Sequence, residues 1–200
     1  ADSQTKTVTI KVIKKYLNSA TQIGANINLG TGSNAGQSVS FNEDATIMAI
    51  GIPNYRTYSG SVKIYQYSSN AWSQLGADIN GEASSDYSGS SVSLSSDGKT
   101  IAIGAPYNDG NGNDSGHVRI YNYDGSNWTQ LGFDTDGEAA NDFSGRSVSL
   151  SSDGTTLAVG ADYNDGNGAN SGHVRVYSYY SGSWNKRGLD IDGEAANDQS

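Results

Sequence analysis

The sequence contains no cysteine, and charged residues make up only 16% of its 200 positions. Without cysteine, neither a disulfide framework nor a cysteine-ligated metal site can form. Proline occurs twice, whereas glycine occurs 26 times. So much glycine argues against a helical domain, and so little charge argues against a typical disordered chain.

Basic residues are also scarce. The chain carries 12 lysine and arginine residues against 21 aspartate and glutamate residues, which gives a net charge of −9. Nucleic-acid binding needs a basic surface that displaces counterions from phosphates, and binding to an anionic membrane needs one too. No apolar run approaches the roughly 20 residues that cross a bilayer. We therefore expect no nucleic-acid partner and no membrane insertion.

The sequence does contain an internal repeat. Trp72, Trp128 and Trp184 follow one another at intervals of 56 residues, and His117 and His173 keep the same interval. Such self-similarity is the sequence signature of a repeat architecture, in which each unit needs its neighbours to cover its apolar faces.

The best-preserved copies of the repeat are 81–136 and 137–192. An earlier copy over 37–80 has the shorter loop "GIPNYRTYSG" where the later copies have a loop such as "GAPYNDGNGNDSG". The opening segment 9–27 aligns with 61–79, so the chain begins with the second half of a unit.

Each copy contains four strand candidates separated by turn signals. In the unit 81–136, the expected strands are 90–94, 100–105, 117–123 and 128–133. Along the first of them, valine and leucine alternate with serine, which gives the strand one apolar face and one polar face. The second has isoleucines on one face and small residues on the other, as interdigitating stacked sheets require.

This pattern predicts an all-β fold, a β-propeller made of four-stranded antiparallel blades. A single four-stranded sheet cannot cover both of its faces, and blades stacked around an axis solve that problem. A β-solenoid would use shorter coils, and immunoglobulin-like sandwiches would need units of about 100 residues. The expected units are a partial blade of two outer strands at 1–36, full blades at 37–80, 81–136 and 137–192, and the start of a further blade or a linker at 193–200.

The chain is expected to contain about three and a half blades. These blades must be part of a closed arrangement, because an open propeller exposes an apolar face and strand edges. Three arrangements stay open. The chain could be a fragment of a longer propeller, which we favour, or half of a seven-bladed dimeric ring. It could also be a subunit of a polymer in which each exposed end is covered by the next copy.

The segment 143–179, "FSGRSVSLSSDGTTLAVGADYNDGNGANSGHVRVYSY", resembles the FG-GAP repeat of integrin α-subunit propellers and their bacterial and algal relatives. In that family, an aromatic-glycine pair opens the first strand, and a Gly-Ala-Pro follows the second. The third strand follows the pattern Gly-hydrophobic-x-hydrophobic-Tyr. The corresponding stretches here are "YSG" and "FSG", "GAP" and "GAD", and "GHVRIY" and "GHVRVY".

The resemblance covers about 37–200 and extends to the "DIDGEAxxDxSGxSVSLSSDG" variant of marine bacterial and diatom surface proteins. It implies a secreted or cell-surface propeller. Many family members carry a calcium loop between the first and second strands, but this chain has only "SSDGKT" or "SSDGTT" there. Calcium needs six to eight oxygens, which Asp97 alone cannot supply, so we expect a turn at this place.

The segments between units are better calcium candidates. Acidic or amide side chains occur there at relative positions 1, 3, 5 and 9 around a glycine turn, which is the alternate-oxygen spacing of a calcium loop. Capping of backbone N–H groups at a blade crossover is the alternative. The candidate ligands are Asp78, Asn80, Glu82, Asp86, Asp134, Asp136, Glu138, Asp142, Asp190, Asp192, Glu194 and Asp198.

A second calcium candidate is the loop after the second strand of the unit 81–136. Asp109, Asn111 and Asn113 stand at alternate positions there. However, Ala169 replaces Asn113 in the next copy, and clusters of glycine, asparagine and aspartate also serve turns with positive φ. Calcium is the one cofactor that the motifs suggest.

No single constellation of catalytic residues breaks the repeat. His117 and His173 recur in one register, so we expect them to be structural rather than a base beside a nucleophile. The repeated Tyr and Trp residues are expected to pack the blades, with stacking of sugar rings as the alternative. We therefore expect a non-catalytic extracellular or cell-surface protein for adhesion, surface or filament assembly, or ligand display. A carbohydrate-binding propeller, assisted by calcium, is the alternative. The expected partners are other protein chains, further copies of this chain, or glycans.

Overall fold

A computed structural model describes residues 22–29 and 34–199. Strands dominate this part of the chain. The four-residue turn α1 at Tyr55–Tyr58, in which Arg56 and Thr57 have positive φ, is the one helix-like element within it. The strands form three antiparallel sheets in the described residues, each confined to one copy of the repeat. The predicted all-β propeller fold is confirmed. The sheets are called the first, second and third blades, in chain order.

The strands occupy equivalent positions in the three blades. Those of the first blade are β1 (Val39–Phe41), β2 (Ile47–Gly51), β3 (Ser61–Ser68), β4 (Ala71–Gln74) and β5 (Ile79–Asn80). Those of the second blade are β6 (Ser91–Leu94), β7 (Thr100–Ala105), β8 (His117–Tyr123), β9 (Trp128–Gln130) and β10 (Thr135–Asp136). Those of the third blade are β11 (Ser147–Leu150), β12 (Thr156–Ala161), β13 (His173–Tyr180), β14 (Ser183–Lys186) and β15 (Ile191–Asp192).

Within each blade, the first three strands pair in chain order, and two short strands share the free edge of the third. In the second blade, β9 pairs with the end of β8, with Trp128 opposite Tyr123. The strand β10 pairs with the start of β8, with Thr135 opposite Val118. The outer edge of each blade is therefore formed by two short strands with a break between them.

That break differs from the expectation for the fourth strand, which was predicted to extend over 128–133. The strand ends at Gln130 because Gly132 has a φ of +80° and turns the chain away from the ladder. The side chain of Phe133 then lies 81% exposed. The other three strands of this unit lie where they were predicted, except that β6 begins one residue later.

The blades stack through complementary apolar faces, as the alternation in the sequence predicts. Ile101 and Ile103 of the second blade pack into one core cluster with Ile64 of the first blade. On the opposite face, Ala102 joins a second cluster with Leu157 of the third blade. Burial of each such isoleucine or leucine contributes roughly 1.5–3 kcal/mol, so stacking is the main source of stability for these sheets.

The polar faces of the innermost strands of the first and second blades also join each of these blades to the next. The Ser91 hydroxyl donates a hydrogen bond to the Gly145 carbonyl at 2.7 Å, and the Ser93 hydroxyl accepts one from the Leu150 backbone N–H at 2.9 Å. The serines that alternate with valine and leucine therefore satisfy backbone groups of the next blade. This explains why a buried strand has serine at every second position.

The predicted partial blade at 1–36 lies outside the described residues, apart from 22–29 and 34–36. Where the chain is described, the Ile23 carbonyl accepts a hydrogen bond from the Trp72 indole at 3.2 Å. Leu29 is buried against Met48 and Ile50 of the first blade. Residues 22–29 therefore cover the face of the first blade that points away from the second.

Candidate metal centre between the blades

A cluster of ionisable side chains lies where the crossover from the first blade meets the second. His117 and Arg119 project from the same face of β8, because alternate residues of a strand share a face. Glu82 approaches from the crossover that follows β5, and Asp134 precedes β10. Glu82, His117 and Asp134 each offer one potential metal-ligand atom, and these three atoms lie within 4.8 Å of one another. This trio is called the first cluster.

The first cluster is held by hydrogen bonds around it. The Gln130 amide donates to one oxygen of Asp134 at 2.6 Å, and the other oxygen faces His117 Nδ1 at 3.6 Å. Arg119 lies 3.1 Å from one oxygen of Glu82 and donates to the Asn80 carbonyl at 3.0 Å. The cluster therefore joins the crossover of the first blade to the third strand of the second.

Burial sets the ionisation of these groups. It lowers the pKa of the His117 imidazole, and the charge of Asp134 opposes that shift. Burial also raises the pKa of Asp136, and the neighbouring Asp134 charge adds to the rise. The histidine is therefore neutral at pH 7, the form in which imidazole binds metals.

The second cluster is the same arrangement one repeat later, with Glu138, His173 and Asp190. Here Arg175 contacts the carboxylates of both Glu138 and Asp190, and its two hydrogen bonds to Asp190 are each 3.0 Å long. Lys186 also contacts Asp190, at 2.6 Å. Hydrogen bonds from Arg175 hold the pKa of Asp190 well below its usual value. Nδ1 of the buried His173 has no hydrogen-bond partner among the described residues.

The first blade lacks this arrangement in its described part. Ser61 and Lys63 occupy the positions that His117 and Arg119 occupy in the second blade. Lys63 contacts both oxygens of Asp78 at 2.7 Å. Although burial raises the pKa of Asp78, the hydrogen bonds from Lys63 and Gln74 hold it below its usual value. Asp78 therefore has a cationic partner within its own blade.

The four positions predicted to bind one calcium ion do not converge within a copy. In the first copy, Asp78 contacts Lys63, and Asp86 accepts from the Ala83 N–H at 3.0 Å and from the Asn108 amide at 3.0 Å. Glu82 instead meets Asp134, which belongs to the next copy. The structure thus brings together acids from successive units.

The later copies repeat this division. Asp142 accepts from the Ala139 N–H at 3.1 Å and from the Asn164 amide at 2.8 Å, and Asp198 accepts from the Ala195 N–H at 2.8 Å. Asp192 and Glu194 are exposed. The aspartates at relative position 9 therefore cap the backbone, which was the alternative to calcium binding.

The second calcium candidate is a loop held by its own hydrogen bonds. The Asp109 carboxylate accepts from the Asp114 N–H at 2.8 Å, and the Asn113 amide donates to the Asp114 carboxylate at 2.8 Å. The Asn111 amide donates to the carbonyls of Gly137 and Glu138 at 2.8 and 3.0 Å. These side chains organise the loop and tie it to the next crossover.

The repeated tryptophans lie between blades. The Trp128 and Trp184 indoles donate to the carbonyls of Leu75 and Leu131, each at 2.9 Å, and each carbonyl belongs to the preceding blade. Tyr123 lies beside Trp128 with ring centroids 5.1 Å apart. These rings stack and fasten successive blades.

A different set of rings, which the sequence analysis missed, forms a continuous row across the blades. Consecutive ring centroids lie 5.0–5.3 Å apart, and each ring is partly exposed. Two of the rings belong to the family-like motifs "YSG" and "FSG", and two others follow the second strands. This aromatic row consists of Tyr58, Tyr87, Tyr107, Phe143 and Tyr163.

A pocket of about 400 Å³ lies beside the aromatic row and is lined by residues from all three blades. It is called the three-blade pocket. Gln37, Ser90 and Arg146 line it from equivalent positions, one before each innermost strand. Arg146 lies 3.6 Å from Asp162 and donates to the Tyr107 hydroxyl at 3.4 Å. The pocket offers an aromatic ring, amides and one guanidinium to a polar ligand.

Comparison with solved structures shows the propeller-like fold in larger proteins. A protein assigned as a 6-phosphogluconolactonase of Bacteroides uniformis aligns with a TM-score of 0.67 and 13% identity, over 96% of this chain and 50% of that one. Kuenenia stuttgartiensis hydrazine synthase aligns with a TM-score of 0.51 and 13% identity, over 84% and 39% of the two chains. TolB of Acinetobacter baumannii aligns with a TM-score of 0.50 and 17% identity, over 89% and 37%.

The present chain spans half or less of the length of each of these structures. At such low identity the likeness concerns the fold alone. A search of curated protein sequences finds no significant match. In the described residues, no helix is both long and apolar enough to cross a membrane.

Sequence comparison with protein families gives a more specific result. The profile of the FG-GAP repeat matches residues 80–121 and 134–177. In both the second and the third blade, these segments contain the first two strands, most of the third strand and the crossover that precedes the blade. The closer grouping with marine bacterial and diatom proteins stays a prediction. The matches and the stacked blades show a propeller-type repeat fold whose second and third blades carry FG-GAP repeats.

Proposed function

We propose that the chain is a non-catalytic extracellular or cell-surface repeat protein that serves adhesion, surface or filament assembly, or ligand display. The aromatic row is the observation that supports this proposal. Each blade adds rings to one partly exposed surface at spacings of 5.0–5.3 Å. Repetition turns a weak contact into a multivalent one, because successive contacts to a linked partner become intramolecular.

Homotypic adhesion tests this proposal. The tag-free chain is coupled to microspheres, and aggregation of the beads is measured. Binding of the soluble chain to the same beads is measured as well. Light scattering gives the mass of the chain in solution. We expect self-association, and we expect Tyr107→Ser to weaken it because Tyr107 lies at the centre of the row. Tyr180→Ser is the matched control, since Tyr180 is exposed but lies outside the row. A monomer that coats beads without aggregating them contradicts the assembly role.

The non-catalytic part of the proposal has its own test. One structural relative is assigned as a lactonase, so hydrolysis of 6-phosphogluconolactone by the purified chain is the assay to run. We expect the rate to equal that of the buffer alone. An acceleration that scales with protein concentration contradicts the proposal.

Carbohydrate binding is a second candidate function, supported by the three-blade pocket. Sugar sites combine an aromatic surface with a few polar groups that fix the orientation of the ring. Tyr107 and Arg146 supply both features here, and the amides of Gln37 and Asn54 line the same pocket. A sugar bound there would contact all three blades.

A glycan array with and without chelator tests the second candidate. We expect Arg146→Gln to abolish any specific binding, because Arg146 is the cation that lines the pocket. Arg187→Gln is the matched control, since Arg187 is exposed and lies outside the pocket. Binding that survives Arg146→Gln but disappears in chelator would instead indicate a metal-dependent sugar site elsewhere.

A further inference from the structure

We infer that the first cluster is a binding site for a divalent transition metal of the zinc type, with Glu82, His117 and Asp134 as its ligands. This inference goes beyond the proposed function and does not depend on it. The site would join the crossover of the first blade to the second blade, since Glu82 belongs to the former and the other two ligands to the latter.

The spacing of the ligand atoms supports a metal rather than a direct contact. His117 Nδ1 and an oxygen of Asp134 lie 3.6 Å apart, which is too long for a hydrogen bond between them. Two ligands of one tetrahedral zinc ion, each at about 2.0–2.1 Å from it, lie about 3.4 Å from one another. The third ligand atom, from Glu82, lies within 4.8 Å of both.

A histidine nitrogen in the ligand set selects against calcium. Calcium takes six to eight oxygen ligands, whereas zinc accepts a mixture of imidazole and carboxylate and needs only four groups in all. Two carboxylates and one imidazole leave the fourth position for water or a ligand.

Surrounding hydrogen bonds already orient two of the ligands. Gln130 donates to the oxygen of Asp134 that faces away from His117, and this turns the other oxygen toward the imidazole. Arg119 contacts one oxygen of Glu82, and no hydrogen bond from a described residue reaches the other oxygen. Outer groups of this kind fix the geometry of metal ligands and contribute about 10–100-fold to affinity.

The charge balance distinguishes the two clusters. Around the first cluster, the carboxylates of Glu82, Asp134 and Asp136 face the single cation Arg119, which leaves a net charge of −2 for a divalent ion. In the second cluster, Lys186 replaces Gln130, and both Lys186 and Arg175 bind Asp190. Two cations there compete with a metal for the same carboxylate.

The histidine of the second cluster gives an independent indication that this repeat position is built for a ligand. His173 is 3% exposed, and its Nδ1 has no hydrogen-bond partner among the described residues. An unpaired buried nitrogen costs free energy unless something binds to it. The metal ligand atoms of its cluster lie within 4.8 Å of one another. We therefore expect a weaker second site at Glu138, His173 and Asp190.

Calorimetric titration of the full, tag-free chain with zinc chloride, after treatment with chelator, tests the inference. The sequence has only two histidines, so no other imidazole competes. We expect one strong site and one weaker site, and no comparable heat with calcium chloride. His117→Ser, which installs the residue that the first blade has at this position, is expected to weaken the strong site by at least about tenfold. His173→Ser is expected to leave the strong site intact.

Two exchanges test the role of the neighbouring residue. Gln130→Lys copies the second cluster into the first and is expected to weaken the strong site about 10–100-fold, whereas Lys186→Gln is expected to strengthen the weak one. Circular dichroism of each metal-free variant shows that it is folded. The inference is overturned if the folded wild-type chain releases no heat with zinc. It is also overturned if His117→Ser binds zinc as tightly as the wild type, or if calcium binds more tightly than zinc and is unaffected by His117→Ser.

Discussion

The first blade closes the loop between its second and third strands differently from the other two. Its loop is short, and Arg56, Thr57 and Tyr58 all have positive φ, between 48° and 66°. Residues other than glycine rarely adopt that conformation, because the Cβ atom then crowds the backbone. In the second blade, glycines occupy two of the positive-φ positions of the longer loop, Gly112 and Gly116, and Asp114 is the one residue of another type there with positive φ.

The longer loop also carries a buried polar pair that the first blade lacks. Asn108 binds Asp86 of the crossover before its blade, and Asn111 binds the carbonyls of the crossover after it. The third blade repeats the first contact with Asn164 and Asp142. The extra residues therefore fasten the blade-to-blade crossovers with buried side chains. The short loop closes with strained backbone and reaches the following crossover through an exposed contact between the Thr57 and Ser84 hydroxyls at 3.0 Å.

Loss of the Asp86 carboxylate from that polar pair is predicted to destabilise the protein most. Asp86→Ala removes the buried carboxylate that accepts hydrogen bonds from the Ala83 N–H and the Asn108 amide. It is expected to lower the free energy of unfolding by about 3 kcal/mol. Both hydrogen bonds fall on the same oxygen, Oδ2, so Asp86→Asn can retain both and is expected to cost only about 1 kcal/mol. Urea denaturation measures both, with Glu43→Ala as the control for loss of an exposed carboxylate. Equal losses for the two Asp86 variants would show that charge, rather than hydrogen bonding, stabilises the crossover.

A pair of equivalent glycines distinguishes the packing of the first blade from that of the third. Gly76 and Gly188 occupy equivalent positions with φ of +75° and +80°. A Cβ atom at Gly76 would lie 2.8 Å from Trp128 of the next blade, whereas nothing lies within 4 Å of one at Gly188. We expect Gly188→Ala to lower the free energy of unfolding by about 1 kcal/mol through backbone strain alone, and Gly76→Ala by about 2 kcal/mol. If thermal unfolding shows the same loss for both, Trp128 does not pack as closely on the first blade as described.

The indole hydrogen bonds give a smaller effect. Trp128→Phe keeps an aromatic ring beside Tyr123 but removes the donor to the Leu75 carbonyl, and is expected to lower the free energy of unfolding by about 1 kcal/mol. Trp184→Phe makes the equivalent change between the second and third blades and is expected to have the same effect. Trp72 contacts the Ile23 carbonyl at the longer distance of 3.2 Å, so Trp72→Phe should cost less. Chemical denaturation of the three variants would contradict this ranking if Trp72→Phe were the most damaging.

The sequence predicts the strands better than it predicts the site, and the reason is physical. Alternating apolar and small residues set the faces of β6 and β7 locally, so their bounds can be read from period and turn signals. The end of the fourth strand could not be read in this way, because Gly132 turns where Trp184 of the next blade approaches. Such a contact depends on how the blades stack.

The first cluster required the same information. The carboxylates were identified from their spacing along one copy, but Glu82 meets Asp134 of the following copy and a histidine from the strand between them. The first cluster could have been predicted from the recurrence of His117 and His173 at the same interval as the repeat. That prediction would also have required knowing which face of β8 lies toward the preceding blade. The stacking direction of the sheets supplies that face, and alternation alone does not.

The weakest predicted change raises stability and concerns Ser61, at the position where the second and third blades have histidine. Ser61 is fully buried, and its hydroxyl has no hydrogen-bond partner among the described residues, so it lost its hydration without compensation. Ser61→Ala is therefore expected to raise the free energy of unfolding by about 0.5 kcal/mol. Ser115 is equally buried, but its hydroxyl contacts the Asn111 N–H and the Asn108 carbonyl, so Ser115→Ala is expected to lower stability by about 1 kcal/mol. If denaturation shows the same loss for both serines, the Ser61 hydroxyl has a partner such as a bound water.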